Sequence, residues 1–215
     1  MKSNAYLNGQ DILNWYKTPY ELQLTERGFP ILEPSGVVIP RRGIRMLPFN
    51  YALNYKGARK EIFIHFYIQD YLFNRIWNSP QRYIDVLKGY KGIIMPDFSL
   101  FVDMPIPLQQ FNHYRNLWFS RMCQLQGISV ISSLNWSDEY SFDWCTDGLP
   151  KNDVYILSCV GSWKNPEVRE NFINGVMKCE DLLLPHKIIV RGTKKVYNDL
   201  KQYFNCDTGF IDYVS

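Results

Sequence analysis

At 215 residues, with a formal net charge of +3, 46% apolar and 21% charged residues, the chain is long enough to bury one large core without disulfides or metals. No apolar run approaches the roughly 18 residues that a membrane-spanning helix needs, and the N-terminus MKSNAYLNGQDILNW lacks the continuous apolar stretch of a secretion signal. Five cysteines without a C-x-x-C pair argue against a disulfide framework and a compact thiolate zinc site, so reduced thiols and a cytoplasmic setting are expected.

Residues 1–60 carry nine Lys/Arg against four Asp/Glu. Gly28, Pro30, Pro34, Gly36, Pro40, Gly43 and Pro48 punctuate them too closely for long helices. They are expected to form an irregular segment packed on a main body of residues 61–215, with a short helix over Asp11–Tyr16 and a short strand over Gly36–Ile39. The basic run Arg41-Arg42-Gly43-Ile44-Arg45 would suit a phosphate backbone or an ordinary solvated surface.

From Lys60 the pattern becomes regular. Strands are expected at Ile62–Tyr67, Gly92–Met95, Ile128–Leu134, Asp153–Cys159, Lys187–Val190 and Phe210–Val214. Helices are expected at Tyr71–Trp77, Gln81–Gly89, Leu108–Gln126, Pro166–Leu183 and Lys194–Phe204. Pro80 and Pro166 suit first helical turns, and Asn165 suits an N-cap. On Leu108–Gln126 the stripe Phe111, Tyr114, Arg115, Trp118, Phe119, Met122 and Leu125 is expected to face inward. Helices between short strands imply right-handed parallel crossovers. The fold class is therefore α/β: one domain whose mainly parallel sheet is either open or an incomplete TIM-like barrel.

Several apolar strands end in polar residues, and parallel strands would bring those ends to one rim, where such folds place their sites. Asp97, in Pro96-Asp97-Phe98-Ser99, is the leading catalytic candidate, because a carboxylate at a central strand end is costly unless paired, hydrated or metal-bound. Asp70 either caps the following helix or joins Asp97 as an acid/base pair or as ligand to a divalent cation. In Asn135-Trp136-Ser137-Asp138-Glu139, Asn135 would orient substrate, Trp136 would offer a stacking surface and Glu139 a further acid or base; Trp144 is a second stacking candidate. Gly161, before the helix at Pro166, and Arg191 after the next strand would hold phosphate, although no Walker spacing is present. His65 reads as a packed strand histidine, and Cys159 as buried filler.

These residues carry a resemblance. HFYIQDYLFNRIWNSPQRYIDVLKGYKGIIMPDFSLFVDMP, the helix with FNHYRN, the segment GISVISSLNWSDEYSFDWCTDGLP and the Gly161 loop resemble a phage and bacterial domain family of unknown function, DUF4417, over roughly residues 20–195. Asp97, Phe98, Ser99, Asn135, Trp136, Asp138, Glu139, Asp147, Gly148 and Pro150 match the family's pattern. Leu149 separates Gly148 from Pro150, and Arg191 stands where the pattern implies an aromatic residue. The resemblance implies association with mobile elements and the host cytoplasm, and is compatible with replication, host takeover or defence evasion. It brings no activity with it.

The residues thus lead to a protein that binds or processes a nucleotide or other phosphate-bearing small ligand at the C-terminal rim of its strands. The alternative is a non-enzymatic module that binds a host protein or nucleic acid. No membrane partner is expected.

Overall fold

The computed structural model describes residues 22–40 and 43–212; the expected helix Asp11–Tyr16, Arg41 and Arg42 lie outside them. Seven parallel strands run in the order of the chain. They are β1 (Arg45–Pro48), β2 (Ile62–His65), β3 (Gly92–Ile94), β4 (Val130–Leu134), β5 (Val154–Ser158), β6 (Lys187–Gly192) and β7 (Asp207–Asp212). The helices are α1 (Phe49–Ala52), α2 (Asp70–Phe73), α3 (Arg75–Asn78), α4 (Pro80–Leu87), α5 (Ile106–Leu125), α6 (Pro166–Leu183) and α7 (Lys194–Leu200). Among the described residues no helix is long and apolar enough to cross a membrane.

The strand order has a direct consequence. Right-handed crossovers that always step to the next position lay every helix on the same face. One large core accordingly joins helix residues such as Ile84, Trp118, Phe119 and Val176 to the strand residues Ile64, Ile93, Val130, Tyr155 and Val190. The alternate strand residues Phe63, Ile94, Ile131, Ile156, Ile189 and Ile211 form a second cluster with no helix in it, as the two-residue side-chain period requires. Because β1 pairs only with β2, and β7 only with β6, the sheet is a curled, open half-barrel rather than a closed one.

Its helix-free face is covered from the N-terminal segment. Val37, Ile39, Ile44 and Met46 pack on the second cluster. Gly36–Ile39 makes no strand; Val37 instead donates its backbone N–H to Ser35 Oγ at 3.2 Å, and the stretch lies across the sheet. Ser35 is anchored by two bonds of 2.7 Å to the buried carboxylate of Asp153. Leu32 N–H donates to Gly148 O at 2.8 Å. The first strand, Arg45–Pro48, also comes from this segment, which the glycines and prolines had marked as irregular: only lateral pairing with Ile62–His65 makes a strand of it.

Helix α5 buries Trp118, Phe119 and Met122 of its expected stripe, with Phe111, Tyr114 and Arg115 half-buried and Leu125 exposed. Its inward face is wider and more polar than that stripe, because Gln109, Asn112, His113 and Asn116 are buried as well. The expected helix over Tyr71–Trp77 divides at Asn74 into α2 and α3.

Candidate functional site

Along the helix-free face β2, β4, β5 and β6 change character near their C-terminal ends. The alternating series reads Phe63-His65-Tyr67 on β2 and just beyond it, Ile131-Ser133-Asn135 at β4, Val154-Ile156-Ser158 on β5 and Ile189-Arg191 on β6. Apolar side chains close the lower part of the curl, and polar ones line its rim. A cleft of about 240 Å³ there is lined by Asp97, Ser99, Asn135, Trp136 and Ser158 among others. It continues into a recess of about 450 Å³ whose walls include Tyr67, Asp70, Asp97, Ser99, Ser158 and Arg191.

Asp97 sits at the centre of this arrangement. It accepts a bond of 2.9 Å from the amide of Asn135. Burial, reinforced by the nearby charge of Asp70 and opposed by Arg191, pushes its carboxyl up to about 7. Asp70 meets a different environment. Its side chain does not cap α2 but accepts from Ser99 N–H at 3.1 Å and Ser99 Oγ at 3.0 Å, within the field of the Arg115 guanidinium. Asp70 thus has two donors from Ser99, whereas Asp97 has one amide and a like charge beside it. A carboxyl whose proton affinity is raised toward neutrality can serve as acid or base.

The guanidinium of Arg191 lies 5.1 Å from the ring centre of Tyr67, within cation–π range, and reaches Ser158 Oγ at 3.5 Å. Tyr67 shares a 2.7 Å hydrogen bond with Ser133 Oγ; burial and the charge of Asp97 push its phenol upward. His65, 3% exposed, accepts the Tyr67 backbone N–H at Nδ1, 3.2 Å away. Burial, with the charge of Arg191, lowers it to about 3, so it is a neutral packing group beneath the cleft.

The loop that carries Asp97 and Ser99 is held from behind by the buried polar side of α5. Asn116 accepts the Phe98 N–H at 2.9 Å and returns a bond to Phe98 O at 3.3 Å. Asn112 donates to Ser99 O at 2.7 Å, and Gln109 donates to Phe101 O at 3.1 Å and Met104 O at 2.8 Å. Arg115 lies 3.6 Å from the centre of the Phe98 ring and donates to Asn74 and Asn112. A non-helical loop inside a fold must satisfy its backbone groups somewhere, and these side chains do it.

Of the residues singled out in the sequence, Asp70, Asp97, Asn135 and Arg191 line the joined cleft and recess. Trp136 lines the cleft too, but as a wall: it is 9% exposed, packs on Phe172 at 5.2 Å, and fills the space that a side chain at Gly175 would need. Glu139 and Gly161 stand outside, along a groove of about 1000 Å³ that adjoins the cleft. Gly161 has φ +87° in a turn closed by Ser162 N–H to Cys159 O at 3.2 Å, a conformation that favours glycine. Trp144 is no stacking surface; it is buried between Phe29 and His113. Cys159 is buried, with its thiol directed to Arg191 O at 3.3 Å. Tyr67, Ser99, Ser133 and Ser158 had not been singled out as site residues, yet the i, i+2 switch from apolar to polar marks three of them.

Among the described residues, no three His, Cys, Asp or Glu side chains gather to hold a metal ion. A divalent cation between Asp70 and Asp97 would need its remaining ligands from substrate or water. Arg45, the described member of the basic run, is exposed on β1 and pairs with Glu61 at 3.1 Å.

The chain is 32% identical to the Gene 1 protein of Mycobacterium phage L5 over 151 residues, 70% of this chain and 64% of that protein. It is 30% identical to the Gene 1 protein of Mycobacterium phage D29 over 205 residues, 93% of this chain and 73% of that one. The chain thus spans just under two thirds of the L5 protein's length. No solved structure matches it. The model of the domain of unknown function DUF4417 matches residues 24–214, and with nearly the whole sheet inside that match, the chain belongs to the DUF4417 family.

Proposed function

We propose that the C-terminal rim of the half-barrel binds a small phosphate-bearing ligand and that Asp97 exchanges a proton with it. The observation that supports this most is the placing of Asp97, half-buried in a cleft, bonded to Asn135 and within the field of both Asp70 and Arg191. A carboxyl moved to about 7 holds or releases a proton at neutral pH, as a general acid or base must. With Asp97 protonated, the charge of Arg191 is no longer offset by that carboxylate, and the freed positive charge favours an anion. Asn135, Ser99 and Ser158 supply hydrogen bonds that orient it. Arg191 is the phosphate ligand in this reading, because a guanidinium presents paired donors to phosphate oxygens.

Calorimetric titration of the protein with inorganic phosphate and ribose 5-phosphate tests the reading. Binding is expected to weaken at least about ten-fold (1.4 kcal/mol) in Arg191→Lys, which keeps the charge but loses the fork. Binding is also expected to weaken as pH rises through about 7, where Asp97 ionises. In Asp97→Asn that pH dependence should flatten. Absence of phosphate binding, or equal affinity in Arg191→Lys, would remove the proposal.

A further inference from the structure

The outer groove shares Phe101, Trp136, Val160, Ser162 and Phe172 with the cleft, so the two are one continuous depression. They differ in size and in chemistry. The cleft, about 240 Å³, is the smaller and has Asp97 in its wall. The groove, about 1000 Å³, is bordered by side chains that water covers at a cost: Phe101 is 57% exposed, Tyr140 68% and Val160 55%. Exposed aromatic faces are platforms on which planar rings such as bases stack. The groove's charged residues are Asp138, Glu139, Glu167 and Glu170 against Lys164. That excess of carboxylates repels a chain of phosphates but accepts hydrogen bonds from the amino groups of a base or the hydroxyls of a ribose.

Resting on the phosphate reading of the rim, we infer that the ligand is a nucleoside monophosphate: its phosphate lies in the cleft and its base in the outer groove, against Phe101 and Tyr140. In this arrangement Glu139 recognises base or ribose and takes no part in proton transfer. A polynucleotide does not fit, because its second phosphate would enter the acidic groove.

The test is titration of the full chain with ribose 5-phosphate, the four common ribonucleoside monophosphates and a ten-nucleotide single strand. Phe101→Ala and Tyr140→Ala are compared with the unsubstituted protein, with thermal melting as the check on folding; both side chains are exposed. At least one monophosphate should bind ten-fold or more tighter than ribose 5-phosphate. That advantage should fall at least three-fold in either variant, and in Tyr140→Ala, which lies outside the cleft, ribose 5-phosphate binding should be unchanged. Equal affinity for ribose 5-phosphate and every monophosphate would overturn the base seat and leave the phosphate reading standing. Tighter binding of the single strand than of any monophosphate would overturn the exclusion of polynucleotides. Binding of none of the probes would overturn the phosphate reading and this inference together.

Discussion

The lower and upper parts of the helix-free face are built from the same strands, yet they behave as different materials. In the lower part Phe63, Ile94, Ile131, Ile156 and Ile189 close against Val37, Ile39 and Met46, a dry contact whose stability comes from apolar burial. Two residues further along the same strands, Ser158 and Arg191 line a recess that also holds Asp97 and Asp70, and the buried Ser133 bonds to Tyr67 in its wall. The difference teaches where a half-barrel can place polar chemistry. Its curl narrows onto covered apolar side chains below and opens above, beyond the reach of the N-terminal cover.

Substitution across that divide should give the largest effect. Ile131→Ser puts a hydroxyl into the closed part and removes buried methyls, and should destabilise the protein by about 4 kcal/mol or more in urea unfolding. A loss under about 1 kcal/mol would show that the lower part is wet, and the contrast would fail. The next effect is one of pH. In the folded protein the Asp97 carboxyl is raised to about 7, above its unfolded value near 4. The folded state therefore binds the proton more tightly. Its stability contribution is full below about pH 4 and is lost as pH rises through about 7. Asp97→Asn should be more stable than the natural protein at pH 8, by roughly 2–3 kcal/mol, with the difference shrinking toward pH 4; the full linkage of about 4 kcal/mol is reduced because water reaches the cleft. Denaturation at the two pH values checks both the sign and the size.

Asn116→Ala should cost about 2 kcal/mol, since it leaves Phe98 N–H without its buried acceptor. It should also broaden the backbone signals of residues 98–101 in NMR spectra, as the loop under Asp97 loosens. The smallest effect is expected from Ser133→Ala, about 1 kcal/mol or less, because Tyr67 loses one hydrogen bond but still borders the recess, where water can reach it. If Ser133→Ala cost as much as Ile131→Ser, the polar rim would be as much a structural core as the apolar floor.

Much of the scaffold was legible from residue patterns. The strands from Ile62 onward, the long helices and the parallel crossovers follow from hydrophobic period and from the proline and glycine stops. Asp97, Asp70, Asn135 and Arg191 were legible as polar residues at strand ends, since parallel strands must deliver such residues to one rim. The α5 side of the site was not. Aromatic side chains dominate that helix by hydrophobicity, so Gln109, Asn112 and Asn116 read as interruptions of its buried stripe. Burying them is favourable only because Phe98, Ser99, Phe101 and Met104 present backbone groups that need partners. Glu139 followed the same logic in the other direction: its neighbours in sequence enter the cleft, but a short 3₁₀ turn over Glu139–Ser141 carries it to the outer groove.

By itself the sequence determined the α/β class, the one-rim placing of its polar strand ends and the family, because each depends on local period, on chain direction or on the order of segments. Tertiary structure alone decided that the sheet is an open half-barrel in chain order, that Val37, Ile39, Ile44 and Met46 close its inner face, and that Asp70 and Asp97 meet different partners. Strand order, coverage and proton affinity are set by what lies across space from a residue, and neighbours across space are assigned only when the chain has folded.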